Sequence, residues 1–371
     1  MSNFAVERKW DIFCKIVDNF GDIGVCWRLA QQLHLEHGLH IRLWVDDLTA
    51  AQKIIPSLAV TKNQQRIDGI TITKWHDEAD FSNVADVVIE AFACGLPKAY
   101  LSQLALNNAL QKKSKWVNVE YLSAETWVAD FHATPSPQAN GLTRYFYFPG
   151  FTEDTGGLIR ESNCTASSAI DSLNTCNSSN NNLKVSLFCY PHAQISDLLT
   201  TLSTSQNAVD CYVPASSILP NIAAFFGKTS LNANETLQHN QLNLHVLPFL
   251  SQIDYDQLLK ACDLNFVRGE DSWLRAIWAG KPFIWQPYLQ DENAHITKLN
   301  AFLALFYADF NEKQLVCEAH GYWSLVNKHP CALQAYLNAL PSIKNYTQQQ
   351  AKLLANQTDL ATKLVDFCNT I

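Results

Sequence analysis

A chain of 371 residues that is 47% hydrophobic and 17% charged has the apolar mass for two domains or one large one, and too little charge for an unfolded coil. Its 27 basic and 35 acidic side chains leave a formal charge of −8 with no basic block, which argues against sequence-blind nucleic-acid binding. Eleven scattered cysteines form no CxxC pair, which argues against zinc ribbons and thioredoxin-like chemistry, and no apolar run approaches the ~18 residues of a membrane span. The start, MSNFAVERKWDIFCKIVD, lacks an apolar core and a small-residue cleavage site. Together with the odd cysteine count, this predicts reduced thiols in a soluble, cytoplasmic protein.

In chain order, residues 10–17 form a β-rich apolar run, followed by the loop Asp18-Asn19-Phe20-Gly21-Asp22. Ile23, Cys26, Trp27, Ala30 and Leu33 then recur at helical spacing, and Gly38 ends that helix. Residues 41–45, 87–93 and 116–120 read as further strands. Between residues 161 and 182, twelve of 22 positions are Ser or Asn, a composition expected of a linker or long surface loop. The alternation restarts with strands at 185–190, 208–214, 242–249 and 264–267 and helices at 255–261 and 272–279. Gly280 suits the position just past the last of these helices, and Pro282 stops it from continuing. A Leu/Ala pattern after about residue 348 predicts a C-terminal helix. Strands alternating with helices imply parallel sheets with both faces covered, hence an α/β fold. Ligands in such sheets lie at strand C-terminal ends, and a cleft between two halves is the expected site.

Two loops meet that criterion. The first, Asp18-Asn19-Phe20-Gly21-Asp22-Ile23-Gly24, is not GxGxxG, and its acids would repel a pyrophosphate. Two carboxylates four residues apart suit a cationic substrate or a general base. The competing reading makes Asp22 a helix cap and Asp18 a turn residue. The second, Val267-Arg268-Gly269-Glu270-Asp271-Ser272, opens a helix, where unpaired N–H groups attract phosphate oxygens. Arg268 suits bidentate diphosphate binding and Ser272 another hydrogen bond, with Glu270 and Asp271 toward ribose hydroxyls, the sugar or the acceptor. The competing reading is simple capping, with Arg268 paired to a neighbouring carboxylate. Phe188, Tyr190, Phe249, Gln252 and Tyr288 fall near other strand ends, where rings stack on a nucleobase, although each alone reads more readily as packing. Asp254-Tyr255-Asp256 matches the DxD of metal-dependent sugar transferases but lies at a helix start, where acids favour the dipole in any case.

The segments WDIFCKIVDNFGDIGVCWRLAQQL, VIEAFACGLP, NVEYLSAE, YFPGFTEDTGGLIRE, PFLSQIDYDQLLKACDLNFVRGEDSWLRAIWAGKP and QDENAH carry a resemblance to the protein-arginine rhamnosyltransferases of bacterial elongation factor P, the EarP family. The resemblance spans roughly residues 10–160 and 183–300. It implies a GT-B architecture of two Rossmann-like domains facing a central cleft. An acceptor-binding domain is expected at 1–160, a Ser/Asn-rich linker at 161–182, and a nucleotide-sugar-binding domain at 183–347. The helix at 348–371 is expected to pack back on the N-terminal domain. The activity it implies is inverting, metal-independent transfer of L-rhamnose from dTDP-β-L-rhamnose to an arginine of elongation factor P, which activates that factor for translation of polyproline stretches. No cofactor, nucleic-acid partner or membrane partner is expected.

Carried over by position, the resemblance makes Asp22, Asp18 and Glu270 catalytic. It assigns the nucleotide sugar to Phe188, Tyr190, Phe249, Gln252, Arg268, Asp271, Ser272 and Tyr288, and the acceptor to Asn118, Glu120 and Tyr121. The chemistry accounts for the acids: a guanidinium is protonated and its nitrogen lone pairs are delocalised, so it must be oriented and must lose a proton to attack an anomeric carbon. Asp22 is expected to be the base, with Asp18 orienting the guanidinium or supporting Asp22. The alternative is another GT-B transferase, with a different nucleotide sugar and a small or lipid-linked acceptor. A module that only binds would need no base.

Overall fold

The computed structural model describes residues 8–17, 20–76, 79–162 and 181–371. The chain divides into two compact units, Met1–Cys164 with Ala355–Ile371, and Thr165–Leu354. Most of the Ser/Asn-rich segment expected to be a linker, 163–180, lies outside the described residues.

The first unit runs β1 (Lys9–Cys14), α1 (Gly21–His37), β2 (His40–Val45), α2 (Leu48–Ile54), β3 (Gln64–Ile67), β4 (Ile70–Lys74), β5 (Val87–Ala91), α3 (Lys98–Ala109), β6 (Lys115–Val119), α4 (Trp127–Phe131), β7 (Pro135–Pro137) and β8 (Thr143–Tyr147). Its sheet has the order β3-β4-β2-β1-β5-β6-β8-β7. The six inner strands are parallel, while β3 and β7 pair antiparallel at the two edges. Inner strands such as VVIEA in β5 are buried throughout, as parallel strands covered on both faces must be. One face packs Phe13, Trp44, Phe81, Val88, Leu96, Tyr100, Leu104 and Trp116 into a core. Gly38 ends α1 at φ 65°, donating to the His34 carbonyl, while Leu39 donates to that of Leu33. Strand order reverses at β1, which pairs with β2 on one side and β5 on the other, so the crevice that takes ligands in such sheets opens beyond the C-terminal ends of β1 and β5.

The second unit runs β9 (Leu183–Leu187), α5 (Ile195–Ser203), β10 (Val209–Pro214), α6 (Leu219–Phe225), β11 (Thr236–His239), β12 (Leu242–Leu247), α7 (Gln252–Ala261), β13 (Leu264–Arg268), α8 (Asp271–Ala279), β14 (Phe283–Gln286), α9 (Ala294–Phe306), α10 (Lys313–Trp323), α11 (Cys331–Asn338) and α12 (Leu340–Ala355). Its sheet, β11-β12-β10-β9-β13-β14, is parallel except for edge strand β11, and the order reverses at β9. Gly280 closes α8 at φ 62°, and Trp273 of α8 stacks on Trp285 of β14 with ring centroids 3.7 Å apart.

The single helix expected over 348–371 is instead the end of α12 and a separate α13 (Leu360–Thr370). The break arises because Asp359 caps α13, accepting from the Thr362 N–H at 3.0 Å and from its hydroxyl at 2.7 Å. α13 belongs to the first unit, where it meets α1, and Phe367 packs on Tyr145 and Tyr147. No helix among the described residues is long and apolar enough to cross a membrane.

Candidate active site

In the first unit the site grows from the ends of β1, β5 and β6. Asp18 lies outside the described residues. Asp22 sits in the first turn of α1 and is buried, but it does not cap the helix: the cap position is Phe20, with no side-chain cap bond. Its Oδ2 instead accepts from the Val17 N–H at 2.7 Å, and its Oδ1 from the Tyr121 hydroxyl at 3.0 Å. The capping reading therefore fails. A carboxylate held by donors from two strand ends is oriented, and the α1 dipole favours its charge.

Tyr121 stacks face to face on Phe92, with centroids 4.2 Å apart and planes 8° from parallel. Phe92 and Ala93 follow β5 with φ of 57° and 51°, two successive non-glycine residues in the left-handed region. Such residues cost roughly 1–3 kcal/mol each and persist only where the surroundings hold them. Here the Phe92 N–H donates to the Val119 carbonyl at 2.8 Å, the Ala93 N–H to Asn118 Oδ1 at 2.9 Å, and the Gly95 N–H to Glu90 Oε1 at 2.8 Å. Asn118 is fully buried, and its amide nitrogen donates to Glu120 Oε1. It thus builds the turn rather than lining a surface. Glu120 is half-buried, and that burial raises its pKa above the usual carboxylate range.

In the second unit, the ends of β9, β12, β13 and β14 converge. Arg268 ends β13 and is buried; its guanidinium lies 4.4 Å from the Phe188 ring centroid and 4.7 Å from that of Tyr190, and its Nη1 donates to the Cys189 carbonyl at 3.3 Å. In place of the carboxylate partner of the competing reading stand two aromatic faces, which hold a planar cation without neutralising it. Ser272 closes the turn: its hydroxyl accepts from the Arg268 N–H at 3.0 Å and donates to the Arg268 carbonyl. Gly269 has φ 60°, and its carbonyl accepts from the Trp285 indole at 2.7 Å. Glu270 occupies the cap position of α8 without a side-chain cap bond, with Lys298 of α9 4.0 Å from its carboxylate. Asp271 accepts from the Gln252 amide at 3.3 Å. Tyr288 is exposed beside Tyr190, with ring centroids 5.8 Å apart, and Phe249 is exposed near the start of α7.

The structure thus sets Phe188 and Tyr190 against Arg268, with Tyr288 beside Tyr190, and joins Gln252 to Asp271. Sequence reasoning missed Phe92, Glu90, Lys298 and Gln286. Gln286 is buried at the end of β14 and accepts from the Tyr190 N–H at 2.8 Å, which fixes the strand end that carries Tyr190. Its place after an apolar run, FIW, was the available signal.

The DxD acids are both engaged within the second unit. Asp254 pairs with the capping residue Ser251 at 2.7 Å, and Asp256 takes a bidentate pair with Arg275 at 3.0 and 2.7 Å. Among the described residues, the grouping with metal-ligand potential is Glu36, His37 and Asp359. It lies away from the strand-end loops, and its carboxylates accept from the Gln32 amide, the Ser162 N–H and Thr362.

Two parallel sheets of this order, each with ligand-type loops at the reversal of strand order, are the fold of the GT-B glycosyltransferases. Spinosyn forosaminyltransferase SpnP is similar in fold, at TM-score 0.53 and 10% identity, with 98% of this chain and 100% of that one covered. The chain belongs to the EarP family: the family model for Elongation-Factor P (EF-P) rhamnosyltransferase EarP matches residues 10–369. It is 41% identical to the protein-arginine rhamnosyltransferase of Pseudomonas putida, over 98% of this chain and 99% of that one. It is also similar to the protein solved in "Structural basis for EarP-mediated arginine glycosylation of translation elongation factor EF-P", at 28% identity and TM-score 0.67, covering 98% and 99% of the two chains.

Proposed function

We propose that this chain is a protein-arginine rhamnosyltransferase that moves L-rhamnose from dTDP-β-L-rhamnose to an arginine of elongation factor P, with inversion and without a metal. The observation that carries the reading is the Asp22 carboxylate, buried at a strand end and oriented by Val17 and Tyr121 rather than spent on its helix. Family membership supplies the acceptor class.

In this mechanism the acceptor guanidinium is bound by carboxylates of the first unit. One nitrogen passes its proton to Asp22 as it forms a bond to the anomeric carbon, and the bond from that carbon to the diphosphate oxygen breaks. Attack opposite the leaving group inverts the centre. The negative charge left on dTDP is met in the second unit by Arg268 and by the N–H groups at the start of α8. Phe188, Tyr190 and Tyr288 offer ring faces to the nucleoside, and Glu270, near Lys298, is assigned to the sugar. Because Asp254 and Asp256 already have partners in Ser251 and Arg275, the DxD segment is not assigned a cation.

Mass spectrometry of elongation factor P after incubation with this protein and dTDP-β-L-rhamnose tests the reading. One added deoxyhexose on one arginine is the expected result. No addition, with UDP- or GDP-sugars and a small or lipid-linked acceptor active instead, would replace it. An α-rhamnosyl product by NMR is expected for inversion, and undiminished turnover in EDTA for metal independence.

A further inference from the structure

We propose that Phe92 is a positioning residue for this transfer: stacked on Tyr121, it fixes the phenol that donates to Asp22. The inference rests on the reading of Asp22 as base. Three observations carry it.

The first is geometric. A face-to-face stack at 4.2 Å and 8° leaves the Tyr121 ring little freedom to tilt, and the hydroxyl of that ring is the donor to Asp22 Oδ1. The second is conformational. Phe92 reaches that position because it and Ala93 occupy the left-handed region, which a side-chain-bearing residue adopts only when held there. The third is the holding itself. Val119 and Asn118 of β6 accept from Phe92 and Ala93, and Cys94 donates through sulfur to the Phe13 carbonyl of β1 at 3.5 Å. The turn is thereby tied to β6, the strand that leads into Tyr121, and to β1, the strand that leads into the Asp22 loop. A plain surface turn after β5 needs neither the strained backbone nor an aromatic side chain. Phe92 itself is assigned no contact with substrate.

A double-mutant cycle on the full chain tests this, with elongation factor P and dTDP-β-L-rhamnose as substrates. Phe92→Leu and Tyr121→Phe are each expected to lower kcat about 10- to 100-fold, with KM for the nucleotide sugar unchanged. The double variant should be no slower than Tyr121→Phe alone, because Phe92 acts through the hydroxyl already removed. Phe92→Tyr, which keeps the ring, should restore most of kcat. Multiplying effects, or a Phe92→Leu enzyme with wild-type kcat, would overturn the proposal. Absence of transfer by the wild-type enzyme would instead overturn the parent reading. The positioning itself is then read from the Tyr121 ring signals by NMR, expected to move in Phe92→Leu and Asp22→Asn but not in Phe92→Tyr. Unmoved signals in Phe92→Leu would reject the stack.

Discussion

The guanidinium of Arg268 lies 4.4 Å from the centroid of the Phe188 ring, across from Tyr190 at 4.7 Å. An arginine held by ring faces keeps its full charge, and its plane is set before any ligand arrives. Arg268→Ala should therefore weaken dTDP binding by about 10- to 100-fold, the range for a charged hydrogen bond. Arg268→Lys should recover little of it, since an ammonium neither stacks nor offers a planar fork. Isothermal calorimetry with dTDP measures both. Affinity equal to wild type in Arg268→Ala would remove Arg268 from the site.

Asp22→Asn removes the proton acceptor while keeping the shape, and kcat should fall about 10²- to 10⁴-fold. The same change faces an amide NH₂ toward one of two donors, the Val17 N–H or the Tyr121 hydroxyl. The hydroxyl can turn to accept and the N–H cannot, so the amide oxygen should stay on Val17 while the NH₂ donates to Tyr121, and little stability should be lost beside the turnover. Denaturant melts beside single-turnover rates separate the two effects. Near-normal turnover in a folded variant would remove Asp22 as the base.

The parallel cores were legible because buried strands are short apolar runs: KWDIFC, VVIEA and LNFVR announce β1, β5 and β13 without context. Both acidic loops follow directly from those strands. The edge strands were not legible, since QQRI, PSP and TLQH are polar or proline-bearing and are strands through their neighbours' hydrogen bonds. In the site, Asp22 and Arg268 were visible as charges beside glycines. Tyr121, Phe188 and Tyr190 were named as candidates, but their pairings were not legible: Tyr121 is 99 positions from Asp22, and Phe188 and Tyr190 reach Arg268 only because β9 pairs with β13. The role of Phe92 depends on a backbone angle, which the letters FAC do not encode.

Gly157 has φ 77°, and a Cβ there would stand 2.9 Å from the Thr358 carbonyl oxygen, beside the Asp359 cap of α13. Gly157→Ala should lose about 1–2 kcal/mol from the left-handed backbone alone. The contact adds to this by pushing α13 from its seat, so amides of α13 should exchange hydrogen faster than those of α8 in the second unit. Equal exchange in both helices would show that α13 is not held through this close approach.

Burial makes stability depend on pH through His320 and His132 among others. His320 is enclosed by Phe283, Tyr307 and Tyr336, donates through one ring nitrogen to the Val316 carbonyl, and has a pKa lowered to about 4 by desolvation. His132 is also lowered to about 4, first by burial and then by Lys363, and its Nδ1 accepts from the Phe148 N–H at 3.1 Å, a bond that protonation there would break. Each group titrates near 6.5 when unfolded. Between about pH 6.5 and 4 the unfolded chain therefore binds protons that the folded chain refuses. Stability is fully present above that window and falls as pH descends through it, at up to about 1.4 kcal/mol per pH unit for each histidine. Urea midpoints measured from pH 7.5 to 4.5 should fall accordingly, and the slope should lessen in His320→Phe, whose ring fills the same aromatic cage without a titrating nitrogen. A His320→Phe protein with the wild-type slope would show that His320 takes up its proton alike in the folded and unfolded chain.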